Sequence, residues 1–255
     1  MVLAIDMGNS LTEIGLIRGS EPVMSEMLST DVRKTQIEYA VMLRTIFSLK
    51  KIREEEIGGA VISSVVPQLT PVMKNAVRLV TGLDALIVGP GVRNGLKIRI
   101  DDPRTLGADL VVNAVGGIAL YGTPLIVIDM GTATTLSAID RNGAFRGAVI
   151  MPGVRVSLQA LVANTAQLPE ISLDNPGQAI GTNTVDSMRS GIVYGQADQL
   201  DGMIRRIRAQ MGADAAVVAT GGMAGMIIPY CSIEIRLDPD LTIRGLKVIY
   251  DLNTR

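Results

Sequence analysis

The chain has 255 residues and a mass of 27.0 kDa, 47% hydrophobic and 19% charged, enough apolar material for a core and too much for a disordered tail. Lys and Arg number 24 against 25 Asp and Glu, and the net charge of −1 speaks against a general nucleic-acid binder. The absence of histidine excludes Ser-His-Asp triads, phosphohistidine chemistry and His-ligated zinc, and the single Cys231 excludes an intrachain disulfide and a cysteine metal cluster and fits a reducing, cytoplasmic compartment.

The first element is a strand, turn and strand over residues 2–19, VLAIDMGNSLTEIGLIRG. Asp6 breaks the apolar start and no basic segment precedes it, so no targeting peptide is expected. A turn of Gly8, Asn9 and Ser10 points backbone N–H groups outward, the arrangement that holds phosphate oxygens. Asp6 repels phosphate but can hold Mg²⁺, which binds it. Thr35 and Glu38 then form a capping box. Tyr39, Met42, Leu43, Ile46 and Phe47 make the apolar stripe of the helix behind it. A buried strand over 59–66, a helix over 72–80 and a strand over 85–88 follow.

Residues 101–109, DDPRTLGAD, are acidic and turn-like and open a helix that ends at Tyr121. Asp109 sits in its first turn, where the helix dipole favours a carboxylate whatever its role. The functional reading is a general base beside a phosphate-transfer site. Leu110 to Ile128 is uncharged and long enough to span a bilayer, but Gly116, Gly117, Gly122 and Pro124 divide it into a helix, a turn and a strand, so no membrane association is expected.

Residues 125–143, LIVIDMGTATTLSAIDRNG, repeat the opening element. Asp129, Met130 and Gly131 match Asp6, Met7 and Gly8, all displaced by 123 positions. Thr132 can donate to a phosphate and Asp129 can hold a cation; the consecutive Thr134 and Thr135 suggest a turn that uses its hydroxyls. Residues 147–153 read as a strand and turn or as a loop near a ligand. A long helix runs from Thr184 to Met211, with Gly191 and Gly195 four apart, a spacing that permits close approach of another helix of this chain or of a partner. Arg205, Arg206 and Arg208 belong to its solvated face. The strand at 215–219 ends on Thr220-Gly221-Gly222, where a nucleotide can approach the backbone or the chain merely turns. Cys231 reads as buried and inert.

Two similar halves in an α/β chain predict two related domains, 1–118 and 119–255, each opening with a β-hairpin and facing the other across a cleft. The paired Asp-x-Gly hairpins and the late Thr-Gly-Gly turn resemble the actin, sugar kinase and heat-shock ATPase superfold (ribonuclease H-like domains). Within it, Asp6-x-Gly-Asn-Ser10, Asp102-Pro-x-x-Leu-Gly-Ala-Asp109, Asp129-x-Gly-Thr-Ala-Thr-Thr135, Thr165-Ala-Gln-Leu-Pro169 and Gly181-x-Asn-Thr184 resemble type III pantothenate kinases, in order along nearly the whole chain.

The resemblance implies transfer of the ATP γ-phosphate to the primary hydroxyl of pantothenate, the first step of coenzyme A synthesis. It implies an ATP cradle of Asp6, Met7, Gly8, Asn9, Ser10, Leu11, Thr12 and Glu13, with Asp6 near Mg²⁺. Asp109 matches the catalytic base, Asp129 the ligand of K⁺ or NH₄⁺, and Thr132 an ATP contact, joined by Gly221 and Gly222. Gly107, Ala108, Asp109, Leu110 and Thr184 match pantothenate contacts, and members are homodimers. Many members carry arginine directly after the catalytic aspartate; here it is Leu110, which can pack on the gem-dimethyl carbons of pantothenate while Arg104 meets the carboxylate. The alternatives are a regulatory relative of weak activity and a kinase of the same superfold for another small alcohol.

Overall fold

The computed structural model describes residues 1–254, which divide into two compact units. The first holds residues up to Leu96, Asp101–Leu120 and the segment from Asp240 onward; the second holds Lys97–Ile100 and Tyr121–Pro239.

In the first unit, strands Val2–Met7 (β1), Leu11–Arg18 (β2) and Glu21–Ser29 (β3) pair antiparallel. Gly59–Ser64 (β4) runs parallel to β1, and Leu86–Ile87 (β5) parallel to β4. The order across the sheet is β3-β2-β1-β4-β5. Side chains alternate between faces along a strand. Leu3, Ile5, Met7 and Ile62 therefore pack with Tyr39, Leu43 and Phe47 of helix Gln36–Leu49 (α1) and Met73 and Val77 of helix Thr70–Thr81 (α2). Ala4 and Val61 face the other way, into a cluster with Ile243, Leu246 and Ile249 of the last helix and Val111, Val112 and Val115 of helix Ala108–Tyr121 (α3). The α1 capping box is formed, Thr35 and Glu38 each satisfying the other's backbone N–H.

The second unit repeats this topology. Leu125–Met130 (β7), Ala133–Ile139 (β8) and Ala144–Pro152 (β9) pair antiparallel, and Ala216–Thr220 (β10) and Arg236–Leu237 (β11) extend the sheet in parallel beside β7. Lys97–Ile98 (β6) adds an edge, giving β11-β10-β7-β8-β9-β6. Helices Val154–Ala163 (α4), Thr184–Met211 (α5) and Ala224–Ile227 (α6) complete it. Val193, Leu200 and Ile204 of α5 cover Ile126, Ile128 and Leu136.

Three expectations change. The last helix, Leu241–Thr254 (α7), belongs to the first unit, where a 119–255 domain puts it in the second. Ile243, Leu246 and Ile249 pack beside α3, and Gly116 and Gly245 let the two helix backbones meet: a Cβ at Gly116 would lie 2.9 Å from Leu241 O and 3.0 Å from Gly245 Cα. Thr134 and Thr135 lie in strand β8 and not in a turn, Thr135 in register with Asp129 and Thr134 on the opposite face. Arg208 is half-buried and not simply solvated; its guanidinium donates twice to Ala215 O, at 3.1 and 2.7 Å, and ties the end of α5 to the next strand. Among the described residues no helix is long and apolar enough to cross a membrane.

Candidate active site

In the first unit, Asp6 is half-buried one residue before the end of β1. Gly8 N–H donates to Leu11 O at 3.0 Å and closes the turn, so this amide points inward, where an outward one was expected. Asn9, Ser10 and Leu11 are exposed. Met7, Thr12 and Glu13 are buried in the strands. Thr12 Oγ1 lies 2.8 Å from Thr30 Oγ1, and Ser25 Oγ donates to Glu13 Oε1 at 2.7 Å. Glu13, Asp6 and Ser63 form one row across β2, β1 and β4. They share the sheet face of Ala4 and Val61, onto which α7 packs.

Asp109 is half-buried in the first turn of α3. Its Oδ1 accepts the N–H of Leu110 at 2.8 Å, which fixes the carboxylate on the helix start. Gly107 makes room for it, because a Cβ there would overlap Asp109 Oδ1. Ala108 and Leu110 are half-buried beside it. Arg104 is not poised for a ligand carboxylate: both arms of its guanidinium grip Asp102, at 3.0 and 3.2 Å, and hold that carboxyl below its ordinary pKa.

In the second unit, Asp129 occupies the same place on β7 that Asp6 has on β1, flanked in register by Thr135 and Thr220. Gly131 and Thr132 are exposed in the turn that follows. Gly221 has φ of 93° and lies flat on this turn; a Cβ would fall 2.6 Å from Met130 N and 2.7 Å from Asp129 Oδ1. Met223 N–H donates to Met130 O at 3.2 Å, and exposed Gly222 lies between. Gly153 closes in from the start of α4, its N–H on Thr132 O at 3.1 Å. The Thr-Gly-Gly turn and the end of β9 thus both close on the turn that follows Asp129. Residues 147–153 left the strand-or-ligand-loop question open, because hydrophobicity shows a strand and not where its end lands. Thr184 is exposed in the first turn of α5, behind the N-cap Asn183, whose side chain accepts from Asp186 N–H.

The donors around Asp6 and Asp129 are oxygens, which suit hard cations. Among the described residues no three carboxylate, histidine or cysteine side chains converge on a point that could hold a metal. Cys231 is half-buried where a buried residue was expected, and burial, with the charges of Asp201 and Asp198, pushes its thiol up to about 12.

Solved structures of similar fold show the architecture only. The (R)-2-hydroxyglutaryl-CoA dehydratase component A of Acidaminococcus fermentans superposes with a TM-score of 0.56 at 16% identity, covering 98% of this chain and 96% of that one. The ethanolamine utilization protein EutJ of Carboxydothermus hydrogenoformans gives 0.53 at 15%, covering 97% and 89%. Sequence relatives are much nearer. The type III pantothenate kinase of Moorella thermoacetica is 43% identical over 100% of both chains. That of Halalkalibacterium halodurans is 41% identical over 99% of this chain and 100% of its own. The family model for type III pantothenate kinase matches residues 2–206, and with full-length relatives at this identity the chain belongs to the type III pantothenate kinase family.

Proposed function

We propose that this chain is an ATP-dependent kinase that phosphorylates the primary hydroxyl of pantothenate to 4'-phosphopantothenate, the first step of coenzyme A synthesis. Family membership carries the reaction and both substrates. The observation that carries the site is the Asp109 carboxylate, oriented by Leu110 N–H over the bare face of Gly107.

With Asp109 Oδ1 occupied by a backbone donor, Oδ2 is the oxygen that accepts a hydrogen bond from the substrate hydroxyl and aims it at phosphorus. A carboxylate is a weak base toward an alcohol. In a loose transition state the proton leaves late, so orientation counts for more than basicity. Gly107 to Leu110 line the pantothenate subsite, with Leu110 against the gem-dimethyl carbons, and Thr184 contacts the same substrate. The exposed turn from Gly8 to Leu11 meets the ATP phosphates, with Met7, Thr12 and Glu13 holding it from the strands. Asp6 takes Mg²⁺, Asp129 takes K⁺ or NH₄⁺, and Thr132, Gly221 and Gly222 contact the nucleotide. When bound, the two cations offset charge on the phosphates.

Membership also supports a homodimer. Gly191 and Gly195 are not packing glycines within the chain, since a Cβ at either would meet no atom within 4 Å. That leaves the α5 backbone open to a partner's close approach.

The test is ADP release with pantothenate against a panel of other primary alcohols. Turnover is expected with pantothenate alone, in the presence of ATP, Mg²⁺ and K⁺. Asp109→Asn should keep nucleotide binding and lose about 10²-fold or more in kcat, the scale of a positioned acid–base group. Near-normal turnover in that variant rejects the assignment.

A further inference from the structure

Two serines end β4, and they differ. Ser64 Oγ accepts Val66 N–H at 3.1 Å and donates to Val66 O at 3.2 Å, ordinary turn chemistry. Ser63 is fully buried and its hydroxyl has no hydrogen-bond partner. The residues before it on the strand, Ala60, Val61 and Ile62, are apolar and buried. An alanine would fill the place of Ser63 without leaving a dry hydroxyl, so packing does not account for the serine.

The hydroxyl lies beside Asp6. Ser63 is the parallel-register partner of Asp6. Both side chains leave the sheet on the face of Ala4 and Val61, and adjacent strands are about 4.8 Å apart. The second unit repeats the arrangement: Thr220 is the parallel-register partner of Asp129, 2% exposed, with its Oγ1 only 3.5 Å from Pro239 O. Each aspartate therefore has a buried hydroxyl on the neighbouring parallel strand. Nothing in the two strand sequences, GAVISS and AVVAT, makes this parallel visible without the register.

We infer that Ser63 is a positioning residue for Asp6: its hydroxyl donates to the Asp6 carboxylate in the nucleotide-loaded enzyme and turns the other carboxylate oxygen toward the hydrated cation. This rests on the reading that Asp6 serves Mg²⁺. No bond is made or broken in the step; one hydrogen bond forms.

Ser63→Ala tests it, with ADP binding measured calorimetrically in excess Mg²⁺ and in a chelator, and the thermal midpoint of the free protein recorded alongside. The expected result is a midpoint no lower than the parent's, a roughly 10-fold or greater loss of ADP affinity in Mg²⁺, the usual cost of removing a group that orients a metal ligand, and unchanged affinity in chelator. The Mg²⁺ concentration for half-maximal turnover rises in parallel. Ser63→Cys, close in size and a weak donor, should move in the same direction and serves if the alanine variant folds poorly. In an Asp6→Asn background Ser63→Ala should add nothing. Equal Mg²⁺ dependence in parent and Ser63→Ala overturns the inference while leaving the Asp6 reading intact if Asp6→Asn does alter it. If Asp6→Asn itself leaves Mg²⁺ dependence unchanged, the Asp6 assignment falls and this inference with it.

Discussion

The helix-start role of Asp109 and the catalytic role proposed for it draw on one geometry. A carboxylate at a helix start is ordinary, and its bond to Leu110 N–H is the ordinary bond. That same bond leaves one oxygen in a defined direction. A Cβ at Gly107 would overlap Asp109 Oδ1 and turn the carboxylate out of this position. Gly107→Ala should therefore fold and bind ATP normally but lose about 10-fold or more in kcat, since a displacement of about 1 Å can cost up to 10²-fold. Steady-state kinetics beside nucleotide titration checks this; unchanged kcat would show that the carboxylate relaxes freely. The helix start at Asp109 was readable from its place before the apolar run of α3, and its proposed role rested on the family motif. The need for glycine two residues earlier was not readable, because it depends on a side-chain rotamer.

At the level of elements, α5 carries a charge inside the second unit. Asp201 is 3% exposed and accepts Ser232 N–H at 2.7 Å, Ser232 Oγ at 2.5 Å and Ile233 N–H at 3.1 Å. Burial works against the charge, but the bonds from Ser232 and Ile233 outweigh it and hold the carboxyl below its ordinary pKa. The stabilisation is therefore complete above the unfolded pKa of about 3.9 and is lost as pH falls through the lower folded value. Asp201→Asn should cost about 2 kcal/mol at pH 7, the scale of a lost charged hydrogen bond. The gap from the parent should close below pH of about 4 in urea unfolding. A pH-independent gap would assign the loss to packing instead. In sequence this Asp looks like one more charge on a long helix; only the loop folded against it gives it partners.

The whole molecule invites two measurements. Replacing Na⁺ by K⁺ at constant ionic strength should raise activity, the expected outcome if Asp129, the last residue but one of β7, holds the monovalent cation proposed above. Equal rates in both salts would remove the monovalent site. Light scattering at micromolar protein should give twice the 27.0 kDa chain mass, and Gly191→Leu should return it to one chain. Gly191→Ala, if the face were merely solvated, would only stabilise the helix, by about 1 kcal/mol. The family and the two Asp-x-Gly turns were legible in the chain because they are local. A strand ending in Asp, a glycine turn and a second strand lie within about twenty residues, and their recurrence 123 positions on marks a duplicated unit. The capping box, the apolar stripe of α1 and the span of α5 were legible for the same reason, being set by neighbours three and four apart. What brings distant segments together was not. That α7 returns to the first sheet, that Gly221 and Gly153 close on Asp129 and that Ser63 stands beside Asp6 follow from strand order and register. Those depend on which apolar face finds which partner across twenty to more than two hundred residues, a choice made by packing in three dimensions and written in no local pattern.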